Sequence, residues 1–102
     1  MDLYKNIYQY TKSFPKVDRY NLGNELKQSS IKIIELFIEA ESTKKEWKLP
    51  LLEKASIKIG LLKILIRLAY EVKIIDSKKH LRLQEQLQEM GRMLGGWIKI
   101  VK

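Results

Sequence analysis

The run PLLEKASIKIGLLKILIRLAYEVKII, Pro50 to Ile75, decides the fold. Its apolar residues return every three or four positions, which is the period of a helix and not of a strand. Ile57, Leu61, Ile64, Leu68, Val72 and Ile75 form one line along it, and Ala55, Ile59, Leu62 and Ile66 form a second. The polar sliver between them holds Ser56, Lys63, Arg67 and Glu71. A helix apolar around so much of its circumference is buried on more than one side. Pro50 suits a first helical turn, so this helix is predicted to run from about Pro50 to about Ile75.

Working outward, Asp76 or Ser77 offers an N-cap for a following helix. Its stripe is Leu83, Leu87, Met90, Leu94, Trp97 and Val101, with Arg82, Glu85, Gln88, Glu89, Arg92 and Lys99 opposite. On the other side, a connection through Lys44–Trp47 leads back to a helix beginning between Asp18 and Asn21 and ending near Ser42. Its main stripe is Leu22, Leu26, Ile33, Phe37 and Ala40, and its second is Ile31, Ile34 and Ile38. A first helix from about Asp2 to Ser13, with Leu3, Ile7, Tyr10 and Phe14 on one side, stops at Pro15 because proline disfavours helical geometry in the residue before it. Nowhere does an apolar run alternate at strand length between turn residues. The expectation is all-α: a single domain over residues 1–102, folded as an antiparallel up-down four-helix bundle.

The second stripes on the two central helices have two readings. One is a wide arc facing the core. The other is an oligomer seam through Ile31, Ile34, Ile38, Ile59 and Ile66, preferred because one small bundle cannot cover two stripes on two helices, and leaving them in water exposes an apolar patch. A heterologous seam closes without an open end in a cyclic oligomer.

Composition excludes most catalytic classes. The chain of 102 residues has no Cys and one His, so thiolate zinc sites, disulfide scaffolds and imidazole metal clusters are ruled out. A Ser/His/Asp triad would have to use His80, which is read as a boundary residue of the last helix. Glu35 with Glu39 and Glu85 with Glu89 are each one turn apart, but they lie opposite the apolar stripes, and Ser77 stands where a Glu-x-x-His pattern needs its Glu. No metal and no cofactor is expected. Gly95 and Gly96 lack the Lys-Ser or Lys-Thr that a phosphate loop requires. Gly91 and Gly95, each costing about 1 kcal/mol of helix propensity, suggest a close helix approach. No stretch reaches the roughly 18 apolar residues of a membrane span. Met1–Tyr10 has no basic-then-apolar secretory layout, so a soluble, cytoplasmic protein is expected.

Charge is the informative property. Twenty Lys and Arg against twelve Asp and Glu give +8. Residues 1–49 hold nine basic and seven acidic side chains, and residues 50–102 hold eleven and five, net +6. Lys63 and Arg67 stand one turn apart on the only polar sliver of their helix. Lys78, Lys79 and Arg82 crowd a helix start, where the dipole favours anions. A solvated basic face and a phosphate-binding face both fit. The exposed faces show no row of aromatics for base stacking, and Tyr4, Tyr8 and Tyr70 are scattered. Binding to RNA and DNA is therefore expected to be electrostatic, with little sequence preference.

Three stretches, taken together, carry a resemblance: Phe14-Pro15-Lys16 with Tyr20-Asn21-Leu22-Gly23 and Leu26-Lys27; Leu65-Ile66-Arg67-Leu68-Ala69-Tyr70-Glu71; and Gly91-Arg92-Met93-Leu94-Gly95-Gly96-Trp97. In that order they resemble the Avd proteins, the accessory variability determinants of diversity-generating retroelements, which belong with the four-helix-bundle proteins encoded in intervening sequences of ribosomal RNA genes. The ribosomal branch usually ends its second helix with an Asn-Ile-Ala-Glu-Gly-like stretch, and Phe37-Ile38-Glu39-Ala40-Glu41 departs from it toward the Avd branch. The resemblance implies a non-enzymatic, basic homopentamer that binds a reverse transcriptase and its template RNA. Arg67 and Arg92 lie inside matching motifs, while Lys63, Lys78, Lys79 and Arg82 rest on charge alone. The alternatives are a bundle of the ribosomal intervening-sequence type, or a protein-interaction bundle without nucleic-acid binding.

Overall fold

Wherever the heptad-like apolar spacing runs unbroken, the chain is helical. The computed structural model describes residues 2–102 and contains α1 (Asp2–Thr11), the one-turn α2 (Lys16–Tyr20), α3 (Leu22–Ser42), α4 (Lys45–Glu71) and α5 (Ser77–Val101), with no strand among the described residues. The four longer helices pack as a bundle in which α3 and α5 each contact both α1 and α4. Neighbours run antiparallel: Lys79 near the start of α5 lies over Tyr10 at the end of α1, while Leu3 shares a groove with Met90 and Met93. The bundle measures 44 × 22 × 18 Å.

The core takes Leu3, Ile7 and Phe14 from the N-terminal region, Leu26, Ile33, Leu36 and Ala40 from α3, and Leu83, Leu87, Met90 and Leu94 from α5. These are the stripes read from the sequence, apart from Leu36, with Trp97 and Val101 packed at the margin. Buried hydroxyls are satisfied within their own helices: Thr11 Oγ1 donates to the Tyr8 carbonyl at 3.0 Å and Ser30 Oγ to the Lys27 carbonyl at 2.9 Å.

Helix α4 reverses the expected order of its two stripes. Leu52, Ala55, Ile59, Leu62, Ile66 and Ala69 face the core. Ile57, Ile64, Leu68 and Val72 are 71, 59, 47 and 62% exposed. Ile59 and Ile66 therefore belong to the subunit's interior, which corrects their assignment to an oligomer seam. The line chosen for burial contains Ala55 and Ala69, and the buried face of α3, its main neighbour, also carries small residues, Ser29, Ser30 and Ala40. Small side chains allow backbones to approach, so the less bulky line faces inward and the branched one is left outside. On α3, Ile31 and Ile34 are half-buried and Ile38 is 59% exposed.

Helix ends differ from expectation at three places. Asn21 (φ −105°, ψ −86°) separates α2 from α3, and its Nδ2 donates to the Val17 carbonyl at 2.9 Å, so the expected single helix starts twice. Helix α4 begins at Lys45, and Pro50 lies inside it rather than in the first turn. Proline's φ suits a helix, and the only intrahelical bond lost is to the carbonyl of the exposed Glu46. Lys48 strengthens this corner by donating its ammonium to the carbonyls of Ala40 and Glu41 at the end of α3. Finally, α4 stops at Glu71, short of Ile75. Gly91 and Gly95 make no close helix contact within the subunit, since a Cβ at either would meet nothing within 4 Å.

Candidate functional site

The turn from α4 to α5 builds the site. Lys73 adopts a left-handed conformation (φ 67°). Its N–H donates to the Tyr70 carbonyl at 3.0 Å, and the N–H of Ile74 donates to the Ala69 carbonyl at 2.8 Å. This is a Schellman ending, which satisfies carbonyls that the helix terminus would leave open. Asp76 then caps α5, its carboxylate accepting from the Lys79 N–H at 2.8 Å.

The reversal between these two caps lays the rings of Tyr70 and His80 on one another, centroids 4.5 Å apart and planes 13° from parallel. One turn further into α5, Gln84 Nε2 donates to the Lys63 carbonyl at 3.1 Å and stands 3.4 Å from His80 Nε2. Helices α4 and α5 are thus tied at two levels. Between those levels lies a recess of about 300 Å³ lined by Lys63, Ile64, Arg67, His80 and Gln84. A larger hollow of about 680 Å³ borders Tyr70 and is lined also by Glu71, Lys73, Asp76 and Lys79.

The six basic residues read from the sequence do not form one site. Lys63 and Arg67 share the recess. Arg67 also pairs with Glu71 at 3.3 Å, both side chains largely exposed, an ion pair worth at most about 1 kcal/mol and readily exchanged for a phosphate. Lys79 turns toward α1, its ammonium 5.3 Å from the Tyr10 ring centroid. Lys78 and Arg82 are exposed on the first turns of α5. Arg92 is paired with Glu89 and stands ten residues beyond Arg82, about 15 Å further along the helix.

Sequence reading missed the Tyr70–His80 stack, because the two rings are brought together by a turn and not by helical spacing. It also missed a second grouping of aromatics and cations, where Tyr4 and Tyr8 lie 6.2 Å apart and Lys12 and Lys27 approach the Tyr8 ring to 4.8 and 6.0 Å. Among the described residues no group of carboxylates and histidine could hold a metal ion, and no helix is long and apolar enough to cross a membrane.

The family model described as bAvd-like matches residues 1–101. No curated protein matches the chain. A match spanning nearly every residue, on an all-helical bundle whose motifs fall in the order read from the sequence, means that the chain belongs to the bAvd-like family, the generally non-catalytic Avd accessory proteins of diversity-generating retroelements.

Proposed function

We propose that the chain is a non-enzymatic accessory subunit that binds the retroelement's reverse transcriptase and template RNA during mutagenic cDNA synthesis, working as a closed cyclic homo-oligomer, most simply a pentamer. The observation that carries this reading is the family match over residues 1–101. The recess formed by Lys63 and Arg67 supports it, because two adjacent cations, only one of them in an exposed ion pair, suit a phosphate backbone. Lys78 and Arg82, exposed on the same first turns of α5 but on a different face from His80 and Gln84, add to the overall positive field, and assembly into a ring would multiply that field.

The seam of the ring is best assigned to Ile57, Ile64, Leu68 and Val72 of α4 together with Ile38 of α3, all large and exposed. Ile31 and Ile34 contribute only their half-exposed edges. Co-expression with the polymerase, followed by native mass measurement and RNA capture, tests the reading: a pentamer retained with polymerase and RNA is expected. The exposed stripe on α4 also favours a second reading, a bundle that works through protein contacts alone. Wild-type protein that captures polymerase but binds no RNA at low salt would select it.

A further inference from the structure

We propose that His80, held flat against Tyr70, is a base-stacking platform for one unpaired base of a single-stranded nucleic acid whose phosphates lie on Lys63 and Arg67. The inference rests on the accessory-subunit reading and deepens it, replacing purely electrostatic binding with a site that tells single strands from duplexes.

A stacked pair covers its two inner faces and leaves each ring to border its own recess. His80 borders the one with Lys63 and Arg67, and Tyr70 the one with Lys73 and Lys79. The His80 side is the better nucleotide site. Its lining holds two cations, Lys63 and Arg67, against a single neighbouring carboxylate, Glu71, in an exposed pair with Arg67, whereas the Tyr70 side sets Lys73 and Lys79 against two carboxylates in its own lining, Glu71 and Asp76. The His80 recess has about 300 Å³, the small end of the range for ligand pockets, which fits a single base better than a larger group. Ile64 belongs both to the lining of this recess and to the proposed seam, so in a ring the site would open at the edge of the subunit contact. The platform is rigid before anything binds. Tyr70 backs the imidazole from α4, Gln84 holds a polar contact to its Nε2, and the Asp76 cap fixes the turn that carries it. Pre-ordering of this kind spares the rotamer entropy that a mobile ring loses on stacking. Base–aromatic stacking tolerates any sequence, because every base has a π-face, and it is closed to a duplex, whose bases are already stacked.

The test measures fluorescence anisotropy of the full-length protein with an unstructured single-stranded RNA and with the same sequence as a duplex, at matched salt. Wild type is expected to prefer the single strand. His80→Ala should lower single-strand affinity roughly ten-fold, the size of one lost base–aromatic contact, and leave duplex affinity and the salt slope unchanged. His80→Phe, which keeps a flat ring, should retain the preference, and it guards against a misfolded alanine variant. Arg67→Glu should weaken both RNAs. If wild type binds RNA and His80→Ala binds single strands within two-fold of it, the platform is wrong while the RNA-binding reading stands. If His80→Phe folds but loses the single-strand preference, the platform is likewise wrong. If His80→Ala loses polymerase capture and keeps RNA, the stack is a protein-docking surface and the inference fails. If wild type binds neither RNA, the RNA-binding reading itself fails and takes this one with it.

Discussion

Lys73 sits in left-handed geometry at the position where a helix ending of this type usually has glycine. A Cβ there works against the backbone by roughly 1 kcal/mol, offset by the two carbonyls the turn satisfies. Lys73→Gly should therefore stabilise the fold by about 0.5–1 kcal/mol, seen as a higher denaturation midpoint at constant m. An unchanged or lower midpoint would mean that the lysine side chain holds the turn by other means. Three residues on, Asp76 caps α5 through the Lys79 N–H. Asp76→Ala should cost about 1 kcal/mol, and because the same cap positions His80, single-strand RNA affinity should fall with it, while Asp76→Asn should recover most of both.

Helix α4 is the element on which the fold turns, since it touches both α3 and α5 and carries apolar residues on nearly every side. Its two stripes make opposite predictions under mutation. Ile66 is fully buried, and truncation to Ala should cost about 2–5 kcal/mol of subunit stability. Ile64 is 59% exposed, and Ile64→Asp should leave helicity and subunit stability within about 0.5 kcal/mol while dissociating the oligomer. Circular dichroism and light scattering on the two variants separate the faces: loss of helix with Ile64→Asp, or an intact assembly, would return that stripe to the core or to solvent. Ile59 behaves as Ile66 does, so an Asp at either position reports on folding and not on assembly.

At the scale of the molecule, the proposed ring would combine charge with assembly. A closed ring should scatter light as about five times the 12.1 kDa chain, and a species near one chain mass at micromolar concentration would remove the seam. RNA affinity should fall steeply with salt, with a log-log slope of about 0.7 for each phosphate neutralised on a single strand. Both arginines have a carboxylate partner one turn away, Glu71 for Arg67 and Glu89 for Arg92, but reversing Arg67 should remove more of that slope, because Arg67 shares the recess with a second cation, Lys63, and Arg92 shares none of the recesses described. Equal losses would place both arginines in one continuous track around the assembly.

Helical period, the stop at Pro15, the cap at Asp76 and the basic excess of the second half are local or additive properties, so the sequence by itself determined the all-helical class, the number of long helices, three of the four core stripes and the family. Which face of α4 turns inward was not legible from hydrophobicity, since both stripes are apolar. It depends on how closely α3 and α5 can approach, and the alanines at positions 55 and 69 were the signal that carried that information. The stack of Tyr70 on His80 lay further out of reach. Ten residues and a left-handed turn separate the two rings, and no periodicity of either helix relates them. Only the closing of that turn gave the basic recess an aromatic wall. The same tertiary geometry divided six cations of equal charge into a pair that shares a cleft and four that do not.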